Sequence, residues 1–543
     1  MKIILVFKTH FDIGFTDLAS NVIDQYAGSM LEQVIETCKG TQKLGKRHFV
    51  WTMPAWPLWH IVNHSEPSLK KELDELIENG QVVWHALPFT SHTDFATPGE
   101  YLRGFTYSRL LAERYRKPCP IAAKMTDVPG HSVMLPDLLS QAGIRFLHLG
   151  CNEFATPPEV PELFYWQAPG GRKVLTMYSR GGYGSGLIPP KSWKYPVWMA
   201  LMHTVDNSGP QSADAIEHMV EEIQKTYPDA EIVCGTMDDF YRELEKCDLS
   251  EVPVLQKDMA DTWIHGVGAY PKEVGILRED RKMAETMEAI WANRLLVDTP
   301  AETAKEEKIC KLWDAYYHQI TMFEEHTWGA DVKTYMGPNR VYKKEEVREA
   351  KDSDAYRFME GSWEEQRERV QESHKAAGDL RAELNAQKSE TNQKEWYLFY
   401  QGSGSYTGWV ELSKEWEQPA VTMNGKELSC EKIAGTWQVY VENLDGFRSV
   451  PVKIEEKCCV DAEENTNRCS ENCVEKKAEQ GEGSSAGENV ADIAGVAADD
   501  TACMENHRYS IWYNANTGKV LRVHDKKVEK DLLTAKESEG IFS

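Results

Sequence analysis

Strand-like and helix-like patterns alternate along the first half of the chain, and this alternation limits the possible folds more than any other feature. Short apolar runs at residues 2–8, 48–52 and 81–85 are separated by longer amphipathic stretches, and the pattern continues to about Asp261. Strands joined through helices pair in parallel, with the helices covering the sheet. The sequence therefore predicts an α/β protein built on a parallel layer or barrel, with its sites at the carboxyl ends of the strands.

The first apolar run delivers two polar side chains at its carboxyl end. His10 and Asp12 are two residues apart, so they point to the same side of an extended chain. An imidazole and a carboxylate that meet at one point suit a divalent metal of the zinc class. Gly14 then allows the backbone to turn closely under the site. The alternative is a hydrogen-bonded His/Asp pair at a strand end, and this motif alone leaves it open.

Two later stretches resemble parts of the same kind of site. The first is a Pro-Gly turn that holds Asp127 and continues into His131 and Ser132; the second ends a helical pattern with His326. Together with the first motif, they resemble glycoside hydrolase family 38, the α-mannosidase type. In that family an H-x-D-x-G-W strand end, a D-x-x-G-H-S turn and a late histidine supply the metal site. Phe15 stands here where the family usually has Trp.

The resemblance implies a fold, a domain order and a cofactor. It implies a seven-stranded parallel β/α barrel-like domain over residues 1–272, a three-helix bundle over 273–390 and a β-rich domain over 391–454. One divalent ion, Zn²⁺ by family, would be held by His10, Asp12, Asp127 and His326. The composition then predicts an acidic disordered insertion at residues 455–503. Residues 504–543 resemble the opening of the family's C-terminal β-sandwich, so we expect a divergent bacterial branch with a partial C-terminal domain.

The same resemblance suggests a pair of catalytic carboxylates. Asp127 would be the nucleophile of a retaining glycosidase as well as a metal ligand, and Asp206 would be the acid and base. Asp206 is chosen because a strand, a carboxylate and a Gly-Pro turn follow one another there, as in bacterial relatives. A simple turn-initiating Asp is the open alternative. Asp238 and Asp239 are predicted to begin a helix, where carboxylates favour the positive end of the dipole.

The candidate substrate contacts are Trp263, His131, Asn152 and His265. Trp263 resembles the tryptophan on which the family stacks its sugar, with a core role as the competing interpretation, and His265 follows it closely. Asn152 stands where many members carry a sugar-binding arginine. Thr327 stands where many relatives carry Asp. These departures suggest a branch whose sugar need not be mannose.

Three other histidines are candidates for roles at the site. His131 is expected either to contact substrate or to hold the Asp127 turn by hydrogen bonds. His92 and Asp94 repeat the H-x-D spacing, so they are possible ligands, although a surface loop is the preferred interpretation. His85 is a further candidate.

Charge and cysteine usage restrict the partners. The formal net charge of -25 argues against nucleic acid and anionic membranes, which attract clustered Lys and Arg. No apolar stretch reaches the length of a membrane span, and the apolar start does not have the form of a secretory signal. Most of the 12 cysteines are isolated, as in a reducing compartment. We therefore expect a cytoplasmic protein, possibly a homo-oligomer, with a carbohydrate substrate.

Three functional hypotheses follow. The first is a metal-dependent retaining α-glycosidase that acts on α-mannosides. The second is a metal-dependent sugar deacetylase that uses a metal-activated water. The third is a non-catalytic carbohydrate-binding relative. Release of acetate would identify the second, and ligand binding without turnover would identify the third.

Overall fold

A computed structural model describes residues 1–262, 269–297, 303–336, 343–386, 396–400, 402, 404–412, 416–446, 448–456, 501–505, 509–514, 520–527 and 529–533. By compactness the chain divides into two units, residues 1–456 and residues 457–543. The finer domain boundaries that the sequence predicts inside the first unit stay predictions.

The first 262 residues alternate between strands and helices, as the sequence predicts. In chain order the elements are β1 (Lys2–Lys8), α1 (Ala19–Ala27), α2 (Ser29–Thr41), a short 3-10 helix (Gln42–Arg47), β2 (Trp51–Met53), α3 (Ala55–His64), α4 (Pro67–Glu78), β3 (Val82–Trp84), α5 (Pro98–Gly104), α6 (Thr106–Tyr115), β4 (Ala122–Thr126), β5 (Gly130–His131), α7 (Leu135–Gln141), β6 (Phe146–Gly150), β7 (Leu163–Gln167), β8 (Lys173–Ser179), β9 (Val197–His203), α8 (Ala213–Thr226), β10 (Glu231–Cys234), α9 (Met237–Leu244), β11 (Val254–Leu255) and β12 (Met259–Ala260).

Strand β1 is the centre of the first sheet. Its residues Ile3 to Phe7 are fully buried, because parallel sheets are covered on both faces. It pairs in parallel with β9 along its whole length and with β10 and β2 on its other side, and β2 pairs with β3. The ends of β1 and β9 are in register, with Lys8 opposite His203. The loops that follow these two strands therefore start side by side.

A second sheet replaces part of the single seven-stranded parallel barrel that the family resemblance implies. Its strand order is β11-β7-β8-β6-β4, and β7 runs antiparallel to β8. The two strands are joined by a tight turn, in which Ala168 N donates to Arg172 O over 2.9 Å and Gly171 has φ of 89°. A connection this short cannot make the crossover that parallel pairing needs. The alternation of apolar runs did not reveal the turn.

The amphipathic stretch after β1 predicts one helix from Asp17 to Lys39, but the structure has two helices there. Helix α1 ends and α2 begins at Gly28, whose φ of -113° and ψ of -102° are not helical. Glycine costs about 1 kcal/mol relative to alanine inside a helix, which makes it a favourable place for a break.

Three long helices follow the strand region and supply the late histidine. The helical elements are α10 (Pro271–Val297), α11 (Thr303–Phe323), α12 (Val332–Met336), α13 (Lys344–Ala350) and α14 (Asp354–Ala386). Helices α10, α11 and α14 share a hydrophobic cluster that includes Leu277, Trp313, Ile320, Val370 and Leu380. The helices that the long amphipathic spacing predicts are therefore present.

The rest of the first unit is antiparallel β structure. Its strands are β13 (Trp396–Tyr400), β14 (Ser405–Glu411), β15 (Pro419–Met423), β16 (Lys426–Glu427), β17 (Cys430–Ile433), β18 (Thr436–Asp445) and β19 (Arg448–Glu456). They form the sheets β13-β19-β15-β16 and β14-β18-β17. Both sheets contribute to one cluster around Val421, Val439 and Val452, so they pack face to face.

The second unit is described only in its strands. These are β20 (Thr501–Glu505), β21 (Tyr509–Asn514), β22 (Val520–Asp525) and β23 (Lys530–Leu533), and they form one antiparallel sheet in chain order. Of the predicted acidic insertion at residues 455–503, the part from 457 to 500 lies outside the described residues. Its two ends belong to strands β19 and β20. None of the helices described here combines the length and hydropathy that crossing a bilayer requires.

Candidate metal centre and active site

Three carboxylates lie at the carboxyl ends of parallel strands, where the sequence predicts a site. Asp12 follows β1, Asp127 follows β4 and Asp206 follows β9. Backbone contacts hold the first and third loops together, because Asn207 N donates to His10 O over 2.9 Å. Gly14 has φ of 89°, the left-handed turn expected below the site.

A short antiparallel contact brings His326 to these strand ends. His326 follows α11, and its N–H donates to Thr90 O over 3.2 Å. His92 N donates to Glu324 O over 2.9 Å, and His92 Nε2 donates to His326 O over 3.1 Å. The histidine that is most distant in sequence is therefore held by the loop that follows β3.

The four predicted metal ligands converge on one point. The two Nε2 atoms of His10 and His326 are 3.0 Å apart, and Oδ1 of Asp12 lies 3.0 Å from the first and 3.1 Å from the second. Oδ2 of Asp127 lies 3.9 Å from Nε2 of His10 and 3.5 Å from Nε2 of His326. Ligands about 2.0–2.1 Å from a tetrahedral ion are about 3.4 Å apart, so these separations fit such an ion.

A buried oxygen of Asp12 that accepts no hydrogen bond within the described part of the chain also indicates a cation site. Oδ1 of Asp12 is buried and accepts no hydrogen bond from the described residues, although two imidazole nitrogens lie beside it. A buried carboxylate oxygen without a donor is costly unless a cation neutralises it. His10, Asp12 and His326 form the one cluster of His, Cys, Asp or Glu among the described residues that meets a metal-site geometry. The donor set therefore fits a divalent cation.

A buried carboxylate orients His326. Oε1 of Glu325 lies 2.6 Å from Nδ1 of His326, and Oε2 of Glu325 accepts from Thr327 N over 2.9 Å. Nδ1 as the donor leaves Nε2 free to face the cluster, the arrangement usual for metal-ligating histidines. Burial would lower the pKa of His326, but Glu325, Asp12 and Asp127 raise it well above its ordinary value. A cation and a proton therefore compete for this nitrogen.

The two proposed catalytic carboxyls have opposite pKa shifts. Burial would raise the pKa of Asp127, but His326 and His10 lower it below its ordinary value. Burial, followed by the charges of Asp12 and Asp127, raises the pKa of Asp206 to about 7. Asp127 is thus ionised and Asp206 can carry a proton, and both line the same cavity.

This cavity is open, with a volume of about 350 Å³, and lies beside the metal ligands. It is lined by Asp12, Phe15, Asp127, Asn152, Glu153, Phe154, Gly181, Gly182, Tyr183, His203, Asp206, His326, Thr327 and Lys333. Three of the four predicted ligands and both predicted catalytic carboxylates thus face one cavity.

Unusual backbone conformations occur at one predicted catalytic position and beside the other. Asp127 has φ of 70°, a value that costs energy for a residue other than glycine, and Asn207 has φ of 53°. The Asn207 side chain anchors its loop: Nδ2 donates to Asp12 O over 2.8 Å, and Oδ1 accepts from Asp12 N over 3.0 Å. Asp206 thus lies in a turn beside Asn207, whose side chain fixes the position of this loop.

The predicted substrate contacts have different outcomes. Asn152 lines the cavity and donates through Nδ2 to the Tyr183 hydroxyl over 2.8 Å. His131 does not line it; it is buried, with Nδ1 2.8 Å from Oγ1 of Thr93. His131 therefore contacts the loop that follows β3, and its role in holding the Asp127 turn stays a prediction. Trp263 and His265 lie outside the described residues.

Two other expectations about polar loops are also resolved. The surface loop preferred for His92 is wrong, because the side chain is 5% exposed and supports His326. The H-x-D spacing of His92 and Asp94 suggested a pair of metal ligands. The Asp94 carboxylate instead lies beside the backbone of Gly130. The helix start predicted at Asp238 and Asp239 is confirmed, with Asp239 in a capping box with Thr236.

Sequence reasoning missed three residues beneath and beside the ligands. The ring of Tyr183 lies 4.4 Å from the ring of His10, and burial together with the charge of Asp127 raises its pKa. Lys8 and Lys124 are each 3% exposed, and burial lowers the pKa of Lys8 to about 8. A charged residue inside an apolar strand was the available signal for the lysines. Tyr183 had no such signal.

Known proteins resemble the part of the chain that carries this site. Residues 1–239 match the glycosyl hydrolases family 38 N-terminal domain. This part of the chain is therefore similar to glycoside hydrolase family 38. Residues 304–403 match a domain of unknown function, DUF5054. No curated protein matches the chain.

Two solved structures from Enterococcus faecalis share the fold. The first, an alpha-mannosidase from strain V583, has a TM-score of 0.60 at 11% identity, over 98% of this chain and 61% of its own. The second, a protein in glycosyl hydrolase family 38, has a TM-score of 0.56 at 12% identity, over 98% of this chain and 59% of its own. The chain thus spans about three fifths of the length of each.

Proposed function

We propose that the protein is a metal-dependent retaining α-glycosidase that acts on α-mannosides. One observation carries the proposal: Asp127 directs Oδ2 toward the histidine nitrogens of the metal cluster while it lines the same cavity as Asp206. A family 38 nucleophile that also binds the metal needs this double placement. The mannoside is suggested by the alpha-mannosidase among the similar folds.

In the first step, Asp127 would attack the anomeric carbon. The bond from that carbon to the leaving oxygen breaks, and Asp206 gives its proton to this oxygen. The lowered pKa keeps Asp127 ionised, and the raised pKa keeps a proton on Asp206 near neutral pH. The product of this step is a glycosyl ester on Asp127 and a free alcohol.

In the second step, Asp206 would take a proton from water. The water oxygen attacks the anomeric carbon from the face that the leaving group vacated, and Asp127 is released as a carboxylate. Two displacements restore the original anomeric configuration. The cation, held by His10, Asp12, Asp127 and His326, would bind adjacent sugar hydroxyls and offset the charge around them. Two imidazoles with carboxylates favour Zn²⁺ among common metals.

The cavity favours an uncharged sugar. Four of its lining residues are carboxylates, Asp12, Asp127, Glu153 and Asp206, and Lys333 is the one lining residue with a cationic side chain other than histidine. A phosphorylated or acidic sugar would meet repulsion from these carboxylates. We therefore propose a neutral hexoside as substrate.

The cellular setting is also a proposal. None of the cysteines that the structure describes forms a disulfide, as expected in a reducing compartment. This supports a cytoplasmic location. A homo-oligomer stays a prediction.

The proposed activity is tested with a panel of aryl α-glycosides and an acetylated sugar. We expect release of the aryl alcohol from the α-mannoside, with the α-anomer of mannose as the first product by NMR, and no release of acetate. Acetate release with intact glycosidic bonds would establish the deacetylase. Binding of mannosides without turnover of any glycoside would establish the non-catalytic relative.

The pKa of Asp206 predicts a pH dependence. Since the proton-bearing form is the acid, hydrolysis of unactivated glycosides should fall as pH rises through the pKa of about 7. A bound cation offsets the charges of Asp12 and Asp127, which raise this pKa. The fall in kcat/KM should therefore be centred at or below pH 7. The measurement is kcat/KM against pH for wild type and Asp206→Asn. If kcat/KM of the variant falls over the same pH range as that of wild type, Asp206 is not the acid.

A further inference from the structure

A buried arginine links the helical segment to the loop that carries His326. Arg281 lies on α10, and its Nη2 donates to Oε1 of Glu324 over 3.1 Å. Its Nε donates to Oε1 of Glu100 over 2.9 Å. The side chains of Arg281, Glu100 and Glu324 are 13%, 3% and 4% exposed. One guanidinium thus joins two carboxylates away from solvent.

Each end of this cluster is tied to a backbone segment near the ligands. Glu100 closes the capping box of α5 with Thr97, which fixes the end of the loop that begins after β3. Glu324 is two residues before His326, and its carbonyl accepts from His92 N. Arg281 also lies over the ring of Phe95, 4.2 Å from its centroid. The guanidinium therefore contacts Glu324, on one side of the short antiparallel contact that presents His326, and the loop that continues from its other side.

We propose that Arg281 is a positioning residue for the metal centre. The inference rests on the metal site of the proposed function, and it concerns His326, the one ligand that does not come from the α/β region. The planar fork of arginine can bind two carboxylates in fixed directions, which lysine cannot do. Without it, the two buried carboxyl groups would lose the cation that joins them, and with it the link between α5 and the end of α11.

The neighbouring carboxylates have other partners and do not compete for Arg281. Asp280 beside it on α10 pairs with His374, with Oδ1 2.8 Å from Nδ1. Glu325 engages His326 and Thr327. Arg281 is therefore the cation that the described structure directs to both Glu100 and Glu324.

The test measures metal affinity, with no substrate present. Zn²⁺ dissociation constants of the full chain are determined by competition with a chromophoric chelator, and the Co²⁺ form is examined for the visible bands of a tetrahedral site. Arg281→Met is expected to weaken Zn²⁺ binding about 10–100-fold and to reduce the Co²⁺ bands, as does loss of other groups that orient ligands. The Zn²⁺ affinity of Arg281→Lys should lie between that of Arg281→Met and that of wild type.

Lys282→Met is the matched control. Lys282 is exposed on the same helix and pairs with Glu279, so metal affinity should equal that of wild type. A lowered Tm with unchanged Zn²⁺ affinity in Arg281→Met would overturn the proposal, because the role would be structural only. If Arg281→Met does not fold, wild-type affinity in Arg281→Lys would overturn it. Absence of metal binding by wild type would overturn both this inference and the metal dependence of the proposed function.

Discussion

Replacement of Asp127 by Asn should lower kcat on every α-glycoside by at least about 10³-fold, equivalent to about 4 kcal/mol of transition-state stabilisation. An amide cannot form the glycosyl ester on which the two-step mechanism depends. Asn is the informative replacement because asparagine tolerates positive φ, and the backbone at this position has φ of 70°. The measurement is kcat on the aryl α-mannoside, together with a thermal unfolding curve.

Asp379→Asn is the control for the charge change. Asp379 is exposed on α14, so its loss should leave both kcat and Tm unchanged. The Asp127→Asn protein should unfold close to the wild-type temperature. Retention of more than a tenth of wild-type kcat by the folded variant would exclude Asp127 as the nucleophile.

Replacement of Asp206 by Asn should separate substrates by their leaving groups. Removal of a general acid typically costs about 10²–10⁴-fold, and the cost is largest when the leaving oxygen is basic. We therefore expect kcat/KM for an unactivated mannobioside to fall by this amount. For a dinitrophenyl α-mannoside, kcat/KM should fall by about tenfold or less, because this leaving group departs without a proton.

The second half of the mechanism gives an independent readout. In the proposed mechanism Asp206 is also the base that activates water, so the variant should accumulate glycosyl-enzyme from the activated substrate and show a burst of dinitrophenol. Equal losses of kcat/KM on both substrates, without a burst, would assign Asp206 a binding or structural role.

The sequence predicts the parts of the site that are encoded locally. His10 with Asp12, and Asp127 with its turn, each lie immediately after a buried strand, and parallel strands bring their carboxyl ends together. The position of Asp206 could be predicted for the same reason. His326 required the family resemblance, since nothing in its own neighbourhood indicates which strand end it reaches.

Groups that support the ligands could not be predicted from local patterns. Arg281 meets Glu100 across 181 positions of the chain, and Asn207 meets Asp12 across 195. Such contacts depend on tertiary packing, which propensity and periodicity do not contain. The same limit explains the second sheet, because the five-residue connection between β7 and β8 sets their antiparallel direction, while the apolar pattern of β7 fits either direction.

The metal content of the purified protein tests the central claim most directly. Elemental analysis is made on wild type, His10→Ala, His326→Ala and, as a control, His218→Ala, whose side chain is 78% exposed on α8. The account predicts one divalent ion per chain in wild type and the control, and loss of that ion in both ligand variants, because residues 316 positions apart share one site. An ion that remains in His10→Ala and His326→Ala, or no ion in wild type, would contradict it.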